Sequence, residues 1–386
     1  MMSELYIDKV TQKKRAISLD LARGSMLFLI ILSHLPLLLY NIEPGVATKV
    51  TGSSTMEYIL NYLMELIIDN RARPLFSILF GYGLVMIYRK QTERKGVEEA
   101  QRMIKRRSWY LILFGAILAG VAGGQDILMT YGISGLLFVS FLKKNNDRIK
   151  KSIILLSVLC LIYVPILWGV FFDGLQSYGF PITLNGQETY VSTIVDRLVA
   201  VFVTPLFTHI LQPVIPTVLI GMWLGNLNIL VKPHHHIKLL KRLTIGCLTI
   251  SLVGAIPLVL INDVWFPDYF TAGVIYGVHI VTGFAGGMGY AALFGLLGVG
   301  MKYRGVIIKA ITAMGKRSLT FFVIHEVLIV ILLSPIAFNL GASLTITSSV
   351  LLGIVMWFTT LSIAYFMEQK QMVGPLEKYM RYLTYK

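Results

Sequence analysis

The stretch AISLDLARGSMLFLIILSHLPLLLY, residues 16–40, decides the fold. Its apolar length is enough to cross a hydrocarbon core about 30 Å thick, which takes about 20 helical residues. The basic residues Lys9, Lys13, Lys14 and Arg15 precede it. The run is nevertheless too long for the core of a signal peptide and lacks a small-residue cleavage site. It is expected to remain as a first span. Asp20, Arg23 and His34 stand inside it, and ionisable groups within a span are functional candidates because burying them in lipid is costly.

Working outward, 55% of the 386 residues are hydrophobic and 14% are charged. Soluble domains run nearer 45–50% and about 25%. That contrast excludes a disordered chain, a disulfide scaffold and an ordinary cytosolic enzyme. It also excludes a nucleic-acid reader, despite the net charge of +15. Further apolar runs cover 74–88, 108–121, 127–142, 153–172, 211–231, 243–261, 271–299, 319–340 and 344–367. The expected fold is an all-α polytopic membrane helix bundle of about ten transmembrane helices. Segments 56–68, 192–208 and 305–314 are short or amphipathic and read as interfacial or re-entrant. Cys160 and Cys247 lie in apolar runs and are expected to form no disulfide.

Basic residues orient this bundle. With ten spans, 30 of the 35 Lys and Arg residues fall in 1–15, 89–107, 143–151, 232–242, 302–317 and 368–386. The positive-inside rule makes those pieces cytoplasmic. Residues 1–386 then form one integral membrane domain with a cytoplasmic N-terminal segment, 1–15, and a cytoplasmic C-terminal segment, 368–386. Acidic residues such as Glu65, Asp69, Asp126 and Asp263 gather on the other side.

Two constellations carry chemistry. Arg23 and His34 are eleven residues apart, about 20° past three full helical turns, so they share a face about 16 Å apart along the axis. Asp20 is three residues from Arg23 and can pair with it. Snorkelling of Arg23 to lipid headgroups is the plain alternative. The second constellation is Asp69, Arg71 and Arg73 at the outer mouth of the second span, with Gln125 and Asp126 at the start of the fourth. These residues read as an outward acceptor pocket near His34 or as interface anchors. His325 and Glu326 lie deep in the ninth span and are weighed equally as site and as polar glue. His209 and His279 favour a structural reading. His234, His235 and His236 are not expected to bind a metal, and no zinc-ligand spacing, Walker loop or nucleophile elbow is present.

Ser18-Leu19-Asp20-Leu21-Ala22-Arg23-Gly24 resembles the opening of the YeiB family of bacterial membrane proteins, a family of unknown function. Arg73-Pro74-Leu75-Phe76-Ser77-Ile78-Leu79-Phe80-Gly81-Tyr82-Gly83, Gln125-Asp126-Ile127-Leu128, Met314-Gly315-Lys316-Arg317-Ser318-Leu319-Thr320 and the ending from Gly374 to Thr384 extend the resemblance along nearly the whole chain. That family looks like a branch of the transmembrane acyltransferases, with the acyltransferase-three proteins and heparan-glucosamine acetyltransferase. Acyltransferase-three members carry an Arg, ten residues and a His in their first span, the spacing of Arg23 and His34. YeiB relatives mostly have Asn where this chain has His34.

The resemblance implies transfer of an acyl group, acetyl first among the candidates, from cytoplasmic acyl-CoA to an acceptor on the outer side of a bacterial cell membrane. Arg23, Asp20, Arg106, Arg107 and Arg317 would hold the donor, while His34 and Asp126 would be catalytic. Asp69, Arg71, Arg73, Gln125, His325 and Glu326 would hold the acceptor, a cell-surface glycan or a lipid-linked group. Membrane lipids are expected partners, nucleic acid is not, and homo-oligomer formation is open. A transporter or permease for a small anionic or amphiphilic solute is the alternative, and a non-enzymatic membrane partner or sensor is the third.

Overall fold

The computed structural model describes residues 16–180, 184–300 and 305–385. The basic N-terminal segment, with Lys302, Arg304 and Lys386, lies outside the described residues. The architecture is helical throughout, with three isolated β-bridges as the extended pairing among the described residues. In chain order the helices are α1 Ile17–His34, α2 Thr55–Leu63, α3 Ala72–Lys95, α4 Val97–Ile117 and α5 Leu128–Phe138. There follow α6 Asn146–Leu175, α7 Ile194–Ile210, α8 Ile215–Asn226, α9 Ile237–Leu260 and α10 Tyr269–Gly300. The last four are α11 Val306–Lys316, α12 Ser318–Leu333, α13 Ile346–Gln369 and α14 Pro375–Tyr385.

Among the described residues, five segments are long and apolar enough to cross a membrane: Ile17–Leu38, Asn146–Leu175, Ile237–Leu260, Tyr269–Gly300 and Ile346–Gln369. Their outward faces are apolar too. Ile154 and Leu155 on α6 are 64% and 62% exposed, and Val355 on α13 is 61% exposed. A water-soluble bundle turns such faces inward, because every Å² of apolar surface left in water costs about 25 cal/mol. Exposed apolar stripes on long helices are what a multi-pass membrane protein presents to lipid.

The remaining apolar runs map onto helices of other lengths. Run 74–88 is the apolar part of α3, which continues into a charged stretch, and run 108–121 covers the apolar second half of α4, whose first half is charged, with the turn that follows it. Run 211–231 contains only the 12-residue α8; it joins α7 at a 67° bend, so the two together make one broken span or a re-entrant loop. Pro213 and Pro216 account for the break, since proline removes a backbone donor and restricts the residue before it. Segment 56–68 is α2 followed by a π-helical turn, Met64–Ile68. Met56, Ile59 and Leu63 on it are exposed.

Close approach of backbones ties the centre together. α3 crosses α8 through Gly81 and Gly221, where a Cβ on either would overlap a main-chain carbonyl of the other helix (Val218 and Ile78). α10 packs against α6, α9 and α3. The C-terminal segment is clasped to the bundle. Arg317 donates to the Ala313 carbonyl (2.8 Å), the Glu368 carboxylate (2.8 Å) and the Met372 carbonyl (3.0 Å). Glu377 of α14 accepts from the Leu319 and Thr320 amides at 2.8 and 3.2 Å, which satisfies the start of α12. Cys160 and Cys247 are buried and free.

Gly221→Leu should destabilise the protein by about 1–3 kcal/mol, the usual cost of overpacking. Gly246→Leu, where a Cβ meets nothing within 4 Å, should not. Melting of the detergent-solubilised variants checks both.

Candidate functional site

α1 is one uninterrupted helix from Ile17 to His34, so Arg23 and His34 do share a face. It ends because Pro36 follows in a short 3-10 turn. At that end His34 Nδ1 lies 2.7 Å from a carboxylate oxygen of Glu326 on α12. Glu326 is 1% exposed, and the His34 side chain is about a quarter exposed. The other Glu326 oxygen accepts the Gln125 amide at 3.2 Å. Against an ionised carboxylate, which only accepts, this contact takes the Nδ1–H tautomer of a neutral imidazole and leaves the lone pair on Nε2.

His34 faces a cavity of about 610 Å³. Small-molecule sites span about 300–1,000 Å³. Five residues singled out from the sequence line it: His34, Asp69, Arg73, Gln125 and Asp126. Two helix breaks bring them there. One is the π-helical turn Met64–Ile68, followed by Asn70 at φ 53° before α3. The other is the π-helical turn Leu118–Ala122, followed by Gly123 at φ 73° before α5. Positive φ suits glycine and, next best, asparagine. Non-helical backbone within a membrane bundle is tolerated where it lines a cavity.

Each residue has its own engagement. Asp126 accepts the Leu128 amide at 2.8 Å and the Met129 amide at 2.9 Å, so its carboxylate caps the start of α5. Gly115 of α4 leaves the room for that carboxylate. Asp69 pairs with Lys49, and Glu65 lies 2.9 Å from His279 Nε2. Arg73 donates to the Asn70 side-chain oxygen at 2.9 Å. Arg71, only two residues away, turns from the cavity and is 2% exposed. It donates to the Glu65 and Asp69 carbonyls (both 2.6 Å) and to the Ser251 carbonyl (3.0 Å), fastening the first break to α9.

The other sequence candidates lie elsewhere. His325 is fully buried, with Nε2 2.8 Å from the Thr360 hydroxyl, and serves the α12–α13 packing. Glu326, its neighbour in sequence, holds His34. Asp20 and Arg23 pair at 3.7 Å near the start of α1. Arg107 of α4 lies within electrostatic reach of Arg23, Arg381 and Glu377. Arg106 precedes it on α4, half-buried. Arg317 is committed to the C-terminal clasp. Between the Arg23 region and the cavity α1 presents Met26 and Leu27, both fully buried, and Ile30, which reaches the cavity wall.

Lys49, Glu65, Asn70, Tyr276 and His279 also line the cavity and were not singled out from the sequence. Glu65 counted there only among the acidic residues of the outer side. His279 was given a structural reading, although an ionisable residue inside an apolar run was itself a usable signal. The described residues contain no group of three His, Cys, Asp or Glu placed to hold a metal ion.

A family model described as "Protein of unknown function (DUF418)" matches residues 224–386, which supports an uncharacterised family for this part of the chain. Glu326 and His279 lie within the match, while His34 and the two helix breaks precede it. The chain has no significant match among curated proteins.

Arg71→Met should lower stability, by about 1–3 kcal/mol for each carbonyl left buried without a donor. Arg73→Met should cost less, since the guanidinium holds one side-chain amide. Thermal unfolding of the two variants in the same detergent checks the order.

Proposed function

We propose that the protein is a membrane-integral acyltransferase moving an acyl group, acetyl first among the candidates, from cytoplasmic acyl-CoA to an acceptor on the outer side. The reading includes ten spans in a bacterial cell membrane with both termini inside. One observation carries it: a histidine on a substrate-sized cavity, fixed through Nδ1 by a buried carboxylate, with Nε2 available as a general base. The YeiB-like and acyltransferase-like motifs support the same reading.

His34 Nε2 takes the proton from an acceptor hydroxyl or amine as its oxygen or nitrogen bonds to the acyl carbon. The bond from that carbon to sulfur breaks, and the imidazolium returns the proton to the departing thiolate. Glu326 keeps the ring oriented and balances its charge while it is protonated. Acyl-CoA supplies the activated carbonyl when bound. For its phosphates, Arg23 and Arg107, with Arg381 of α14, form a fitting basic group near the start of α1, and Arg106 precedes Arg107 on α4. Arg317 does not fit, because binding phosphate would release Glu368 and Met372. Arg23 and His34 are about 16 Å apart along α1, and Met26, Leu27 and Ile30 must part for a thioester to reach the imidazole.

A transporter for a small anionic or amphiphilic solute is the second reading, favoured by the two helix breaks that line the cavity. Acetyl-CoA or CoA should stabilise the purified protein by RT ln(1 + [L]/Kd), about 2.7 kcal/mol at a hundred times Kd. His34→Ala should keep that stabilisation and abolish transfer of radiolabelled acetyl groups in membranes. Glu326→Gln should slow transfer, within the roughly 10²–10⁴-fold that general base catalysis contributes. Full transfer by His34→Ala sinks the mechanism; solute flux in proteoliposomes without CoA favours the second reading.

A further inference from the structure

The charged groups around the cavity are nearly all matched. His34 has Glu326, Lys49 has Asp69, and His279 has Glu65. Asp126 is occupied by the two amides that open α5. Arg71 spends its guanidinium on three main-chain carbonyls. Arg73 differs. Among the described residues its guanidinium makes one hydrogen bond, to Asn70, and forms no ion pair. Its electrostatic neighbours are the phenols of Tyr276 and Tyr131.

Asn70 is itself fixed. Its Nδ2 donates to the His279 carbonyl at 2.8 Å, which aims its oxygen at Arg73. Arg73 is thus a held guanidinium on the cavity wall, using one of five donors. A guanidinium in that state suits a planar or tetrahedral oxyanion, which it grips through two parallel N–H···O bonds. Phe76, Phe171 and Phe207 supply apolar wall for the rest of a small molecule.

We propose that Arg73 is the anchor for an oxyanion end group, carboxylate or phosphate, on the small molecule that the cavity takes. This rests on the cavity being the acceptor site, but it holds equally if the molecule is transported. In the acyl-transfer reading the acceptor is anionic at one end and presents its hydroxyl or amine to His34 at the other.

The probes are glycerol 3-phosphate and glycerate, with neutral glycerol as control, added to the purified full-length protein without any CoA derivative. At least one anion should raise the melting temperature where glycerol does not, and which one does so identifies the end group. Arg73→Gln should remove the shift; Arg73→Lys should keep part of it, having the charge without the fork. Arg23→Gln should leave it intact, which separates this site from the basic group near the start of α1. In the unaltered protein the same anion should slow phenylglyoxal modification of Arg73, followed by mass spectrometry. That measurement decides the matter should Arg73→Gln fail to fold. An undiminished shift in folded Arg73→Gln overturns the proposal. So does a wild-type protein whose melting and Arg73 labelling respond to neither anion. Because no CoA is present, failure of acyl transfer and failure of anion recognition are seen separately.

Discussion

The Glu326 carboxylate is the constraint around which the cavity is built. Its two oxygens reach His34 at the end of α1 and the Gln125 amide in the break before α5. Three elements distant in sequence therefore meet at one buried charge. Removing one partner from such an arrangement leaves a charge without compensation, at several kcal/mol. The surrounding geometry follows from the same demand. Gly124 lets the break lie against the Glu326 side chain, and Gly123 supplies the positive φ that turns the chain there.

The two helix breaks give the cavity its polar wall in a bundle whose outer faces are apolar. Each pairs a π-helical turn with a residue of positive φ, and each is fastened by a side chain acting on main-chain groups. Arg71 does this for the first break and Asp126 for the second. Backbone carbonyls and amides buried there without partners would otherwise be costly. The polar residues of the cavity thus divide into those that hold the wall up and those that face a ligand.

That division explains what could be read in the sequence. Apolar run length located the five long apolar helices found among the described residues, because membrane thickness fixes it. The Arg23–His34 face was readable because eleven residues fall within about 20° of three full helical turns, and Asp69, Arg73, Gln125 and Asp126 stood out as polar residues at the mouths of apolar runs. Arg71 and Arg73 could not be told apart, since the break between α2 and α3 sets where each guanidinium goes. The meeting of Glu326 with His34 was also out of reach, as it depends on how α12 packs beside α1. The bend between α7 and α8 was missed for a related reason: hydropathy measures how apolar a run is and carries no direction.

The C-terminal clasp gives the bundle a timetable. His34 and Glu326 are 292 residues apart in sequence, and α12 is held at its start by Glu377, close to the last residue. At about 5–20 residues per second of synthesis, α1 waits about 15–60 s before Glu326 is made, and longer before α12 is fastened. During that interval α1 carries a histidine whose acid has not yet been synthesised. The helix that carries His34 is thus made well before the surroundings it ends in.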